Sequence, residues 1–330
     1  MDEDAHLDGL PIRQDGLLTA VDAAAAGCTH RVRALHQSGR LVRVWPGIYS
    51  VTDQPAGPGP AVDALRYRQK VRAAAQQMPG QVFTSYSAAA LLGLPIVGRW
   101  PQDIYVLATG PNGSRRAGVR SIGHRWQVPE ERVDGIRITS PAHTLIQLAR
   151  HASLAAALVA ADGALRDLPY APEEPVVTPE ELCAEHQRLR PYRGSTRAAA
   201  VLQRATTLAD HPLESISRLV IEELGFAAPQ LQHRIWLPGL GEYVWVDFYW
   251  PELGIAMEAD GHGKYLDAGS AAGAAARVVR EKRREDEIRG QVHRFGRWGW
   301  SEVWQRHPLE SILQRAGVPR TGRRRRLLVA

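Results

Sequence analysis

The chain has 330 residues, enough for two or three domains with a core each. Its net charge of +6 and pI near 9.6 suit a polyanionic partner, and the excess is almost all arginine: the lysines are Lys70, Lys264 and Lys282. Two distant cysteines, Cys28 and Cys183, exclude a disulfide framework and a cysteine zinc site. The acidic N-terminus and the lack of an apolar run of about 20 residues predict a soluble, cytoplasmic protein with no membrane partner.

In chain order, the alanine-heavy stretch from Gly16 to Gly27 predicts a helix. Thr29 is the expected N-cap of the next, and Gly39 closes that helix. Leu41–Trp45, Pro46-Gly47 and Ile48–Val51 read as strand, turn and strand. Helix, turn, helix and hairpin is the layout of a winged helix that sets its second helix in the major groove. Val32 and Leu35 face inward, and Arg31 and Arg33 are left for phosphates or guanine edges. A winged helix that only contacts protein leaves the same arginines as solvated charge.

The middle region opens with a Pro- and Gly-rich linker, Gln54–Pro60. It continues with helices over Ala61–Met78 and Ser85–Leu92, a strand over Asp103–Ala108 and a loop from Gly110 to Gly118. A strand near Val133–Thr139 and helices over Pro141–Arg150 and Ala155–Arg166 follow. No residues here have catalytic spacing, and His143 reads as a core or surface residue. Leu168–Pro179 is a second linker, with one or two helices after it to Ala209.

Residues 210–330 carry the chemistry-bearing pattern. Leu213–Leu224 predicts an amphipathic helix with Glu214 in its first turn. Tyr243–Trp250 and Gly254–Asp260 predict two strands. Alternation sets Val244, Val246 and Phe248 on one face and Asp247 on the other; Glu258 and Asp260 share a face of the second strand. Three carboxylates on neighbouring strands suit a hard cation, Mg²⁺ or Mn²⁺, with Lys264 four residues beyond Asp260. Carboxylates that merely close a strand before Gly261 are the plainer explanation. Val278–Arg289 predicts a helix dense in both charges, Val292–Phe295 a strand, and Trp300 and Trp304 core positions. Arg320–Arg326 reads as a solvated basic run that adds salt-sensitive affinity for nucleic acid.

These blocks carry a resemblance. Pro212–Arg218, Val246-Asp247-Phe248, Glu258–Gly261, Lys264-Tyr265, Glu281–Asp286 and Arg297-Trp298 resemble an endonuclease-like family related to the very-short-patch mismatch-repair enzymes, in the PD-(D/E)xK superfamily. Leu17–Val51 and Thr139–Ile146 resemble the abortive-infection (type IV) antitoxin family. Two departures stand out: Asp260 occupies the position usual for Lys or Gln, and His143 stands where Arg is common. The resemblance implies an α+β chain. Its parts are a winged helix (1–55), an antitoxin-like α/β domain (61–166), a linker with helices (167–209) and a restriction-endonuclease-like α/β domain with a basic tail (210–330).

The expected activity is metal-dependent cleavage of DNA, in phage defence or DNA repair. Asp247, Glu258 and Asp260 hold the metal, Lys264 or Lys282 stabilises developing charge, Glu214 is accessory, and Arg283 and Arg284 contact DNA. The alternative is a non-enzymatic DNA-binding regulator or antitoxin, with a cognate toxin as partner, built on an inactive nuclease fold.

Overall fold

In the computed structural model of the protein, residues 7–51, 59–260 and 271–327 are described, with backbone alone over 271–278. The chain is mixed α+β and divides into two compact units, Met1–Leu148 and Ala149–Ala330.

The first unit opens with β1 (Leu17–Thr19), α1 (Ala20–Ala25), α2 (Thr29–Gln37), β2 (Leu41–Trp45) and β3 (Ile48–Val51). The helix expected from Gly16 starts later. Leu17 and Leu18 pair with Ser50 and Tyr49 of β3, and the Thr19 hydroxyl caps α1 by accepting from the Asp22 amide at 3.0 Å. Both leucines are buried. Leu18 joins Ala23, Cys28, Val32, Leu35 and Leu41, and Leu17 packs with Ile48 and Ala73. Thr29 is not a cap: Cys28 takes that position and Thr29 is the first helical residue. The sheet order is β1-β3-β2, a small sheet with α1 and α2 on it.

The unit continues with α3 (Pro60–Gln77), α4 (Ser85–Leu91), β4 (Ile104–Leu107), β5 (Ser114–Arg116), β6 (Val119–Ile122), β7 (Glu130–Val133), β8 (Ile136–Thr139) and the start of α5 (Pro141–His151). The expected 110–118 loop contains β5, which turns through Ala117-Gly118 into β6. Both turn residues have positive φ, as do Asp134-Gly135 between β7 and β8; this is the geometry of tight two-residue hairpins. Arg115 of this hairpin pairs with Asp103 at 2.6 Å. His143 is buried and bonded to Gln147 at 2.9 Å, a core residue.

In the second unit α6 (Leu154–Leu165), α7 (Pro179–Leu189) and α8 (Ser195–Leu202) precede α9 (Pro212–Leu224). The three helices, read from sequence as the end of one domain and a linker region, pack with the C-terminal part. Asp162 of the buried α6 accepts from Ser215 and Arg218 of α9, both at 2.6 Å, and from the Thr206 amide at 2.9 Å. Then come β9 (Gln230–Leu237), β10 (Glu242–Trp250), β11 (Ile255–Ala259), α10 (Ala271–Gln291), β12 (Arg294–Trp298), α11 (Trp300–Gln305) and α12 (His307–Ala316). The sheet runs β12-β11-β10-β9: an antiparallel three-strand meander, with β12 returning parallel to β11.

Strand β10 does not alternate as expected. The β9–β10 ladder skips Asp247 and its opposite number Gln232, whose φ is +47°. On one side of this break Val244 and Val246 pack with Ile288 of α10; on the other Phe248 packs on Trp298, whose indole donates to Ser217 of α9. The buried side of the strand thus passes from α10 to α9 at Asp247. Two further expectations are corrected. Trp300 and Trp304 stack on each other at 5.9 Å, but Trp304 is exposed and Val303 fills the core. The basic tail is partly docked: Arg320 and Arg324 both pair with Glu310, and the amides of Thr321 and Gly322 donate to the Gly225 carbonyl.

Candidate functional site

Continuing the β10–β11 register one step past Phe248↔Met257 sets Asp247 opposite Glu258. The two carboxylates lie beyond the last paired residues of β10 and β11. Their immediate partners differ.

Asp247 fills the gap in the ladder. One oxygen accepts from the Ala259 amide at 2.8 Å and the other lies 3.4 Å from the Gln232 side-chain nitrogen. The same nitrogen donates to Glu214 at 3.0 Å, and Glu214 also accepts from the Asp210 amide at 3.1 Å. Glu214 is buried. Burial first, then the charge of Asp247, pushes its carboxyl up to about 8, which favours its protonated form. The Tyr170 hydroxyl leans on Asp210 at 3.4 Å. Burial and then the charges of Asp210, Glu214 and Asp247 raise it above the usual phenol range.

Glu258 is held by two arginines. Arg284 reaches one oxygen at 2.8 Å and Arg297 the other at 2.9 Å. Arg284 also donates to the Trp245 carbonyl at 3.1 Å and contacts Glu281 at 3.3 Å. Arg297 pairs with Glu281 at 2.6 Å and lies 3.6 Å from Glu285 and 4.0 Å from Asp260. The β11–β12 register makes Arg297 the direct neighbour of Glu258.

These facts revise the expected roles. Arg284, expected at DNA, reaches Glu258 and the Trp245 carbonyl from α10. Glu258, assigned to a metal, has both oxygens on guanidinium groups. Among the described residues no set of three or more His, Cys, Asp or Glu side chains is grouped to hold a metal ion. Lys264 lies outside the described residues. Lys282 and Arg283 are exposed on α10. Gln232, Arg297 and Tyr170 join the site unannounced. Arg297 stood in a recognised block with no role attached, and Gln232 lies in a strand that no sequence pattern had indicated.

In the first unit, α2 exposes His30, Arg33 and Gln37, and the β2–β3 hairpin exposes Val42 and Arg43. Arg31, expected beside Arg33 as a DNA contact, is half-buried and donates to the Asp8 carbonyl at 2.9 Å. Arg33 reaches outward.

Residues 12–52 match the family described as transcriptional regulator, AbiEi antitoxin, and residues 81–204 match the AbiEi antitoxin C-terminal domain. The chain belongs to the AbiEi antitoxin family. Both antitoxin-like blocks read from sequence fall inside these matches. The AbiEi C-terminal match runs across the division at Leu148 and ends at Arg204, so the endonuclease part of the resemblance rests on residues 210–330 alone. The chain is also 32% identical over 228 residues to uncharacterised proteins from two strains of Mycobacterium tuberculosis, covering 67% of this AbiEi-family chain and 74% of each relative. Among the described residues no helix is long and apolar enough to cross a membrane.

Proposed function

We propose that this AbiEi-family protein is a DNA-binding regulator of the antitoxin type, acting with a cognate toxin protein. The observation that carries this reading is the N-terminal module. A two-helix, three-strand winged helix presents the outer face of α2, with Arg33, His30 and Gln37 exposed on the helix that would enter a major groove. The regulator match over residues 12–52 supports the same reading. Binding of labelled duplex DNA across a salt series tests it. Affinity should fall steeply with salt, and Arg33→Ala should lower the log–log slope by about 1. A slope that ignores this substitution assigns the module to protein contacts.

A second reading, cleavage of DNA with Mg²⁺ or Mn²⁺, is supported by Asp247 and the buried Glu214 sharing the Gln232 side chain, with Glu258 on the neighbouring strand. It requires Arg284 and Arg297 to release Glu258. Plasmid, nicked and mismatched DNA incubated with Mg²⁺, Mn²⁺ or EDTA test it. Cleavage that survives Glu258→Ala would refute the assigned site.

A further inference from the structure

The β9–β10 hairpin has an inner and an outer face. Its inner residues Ile235, Leu237, Val244 and Val246 close on Ile288 of α10. The outer face needs no apolar side chain for stability, yet it carries Trp236 and Tyr243, 45% and 49% exposed. They are cross-strand partners with ring centroids 4.8 Å apart. The Arg234 guanidinium lies 4.3 Å from the Tyr243 ring. Two residues along β10, Trp245 continues the same face and is covered by Tyr170 at 5.3 Å; two further lies Asp247. Exposed Arg280 lies 3.2 Å from Glu242 at the hairpin turn, and exposed Arg283 lines the same cleft as Gly239 and Leu240.

We infer that this outer face is a stacking platform for unpaired bases of a single nucleic-acid strand. A pre-formed aromatic pair with an arginine laid on it offers flat π-surface to any base, and the neighbouring guanidinium groups match the phosphates. The chemistry favours nucleic acid over a protein partner. A stable protein interface needs roughly 800 Å² per partner around an apolar centre, whereas here two rings are bordered by Arg234 and Glu242. One base needs only one ring. The inference rests on the reading of the chain as a DNA-binding protein, but on a different module from the winged helix.

The test uses the full chain and fluorescence anisotropy with three probes: a labelled thymidine oligonucleotide, an abasic phosphodiester strand of equal length, and a duplex. The thymidine strand should bind about tenfold or more tighter than the abasic strand. Trp236→Ala with Tyr243→Ala should remove that preference and leave abasic and duplex affinities unchanged. Arg234→Leu, which keeps the rings, should weaken both single strands. Circular dichroism melts check that the variants fold. Equal affinity of the wild type for thymidine and abasic strands would overturn the inference, as would a double variant that keeps the preference. A double variant that alters sedimentation, from a parent with no base preference, would make the face a protein contact and overturn it too. Loss of duplex binding in Arg33→Ala, with the base preference intact, separates the winged-helix reading from this one.

Discussion

Glu258→Gln keeps the size of the side chain and removes its charge, and the sign of its effect on stability separates two pictures of the site. In the structure Glu258 is 12% exposed and bridges Arg284 and Arg297, themselves 22% and 24% exposed. Removing one partner of a buried ion pair costs about 3–5 kcal/mol, because the charge left behind is desolvated and unpaired. Here solvent reaches part of each guanidinium and Glu281 still contacts both. The cost therefore falls at the low end, about 3 kcal/mol, which lowers the melting temperature of the second unit by about 6–12 °C. Calorimetry at low salt reads the shift, and urea unfolding with an unchanged m-value confirms that stability alone has moved. A double-mutant cycle with Arg297→Met should return a coupling of at least about 1 kcal/mol. If the carboxylates instead stood free as an unfilled cation pocket, Gln would relieve their mutual repulsion and raise the melting temperature. An unchanged or raised melting temperature refutes the arginine-held site.

Three further outcomes are expected. Glu214 has its carboxyl raised from 4.5 to about 8 in the fold, so the folded state binds the extra proton between those values. Stability should therefore fall as pH rises through that window, by at most about 1.4 kcal/mol per unit from this group; Glu214→Gln should flatten the profile, read from urea midpoints at pH 5 to 9. Gly225 ends α9 at φ +79°, and an added Cβ meets the Gly322 carbonyl oxygen at 2.4 Å. Gly225→Ala should cost about 1–2 kcal/mol for the left-handed backbone alone and more for the lost tail contact, seen as faster tryptic cutting after Arg323 to Arg326. Arg31→Ala should change the salt slope of duplex binding less than Arg33→Ala does, since Arg31 holds the Asp8 carbonyl.

Local pattern made some elements legible and hid others. α9 declared itself by its apolar stripe, and β11 by an apolar run before Glu258. The charged helix α10 was read shorter than it is, since alanines and glycine at its start carry little periodic signal. β9 gave no signal because Gln230, Gln232, His233 and Arg234 break alternation in its first half, where the backbone departs at Gln232. β1 was absorbed into a helix because three residues carry no period, and only pairing with β3 decides their state. Asp247 and Glu258 could be nominated from sequence because each stands polar within an apolar frame, and Glu214 through the family resemblance. Their partners could not. Arg284 and Arg297 come from a helix and a strand remote in sequence, and only the sheet register brings Arg297 beside Glu258.

That difference between residues and partners bears on what the C-terminal domain does. Asp247, Glu258, Asp260 and Glu214 are the same four side chains whether the domain cuts DNA or serves as a platform. The surrounding charge is what differs. Burial and the charge of Asp247 favour the protonated form of Glu214, which lowers the negative charge the two carboxyls carry together. Glu258 is balanced by two guanidinium groups that Glu281 and Glu285 balance in turn. The cluster thus neutralises itself with its own side chains. A divalent cation entering it has to compete with two charge-assisted bonds at 2.8 and 2.9 Å, and direct ligation by Glu214 has to displace a proton as well. A nuclease site with free carboxylates faces neither competition. The two readings therefore part on an energy that titration calorimetry with Mg²⁺ measures. Binding that tightens with pH towards 8, and tightens again when Arg297 is replaced by Met, identifies a latched metal site. Binding indifferent to both leaves the carboxylates and arginines as the internal brace of a DNA-binding platform.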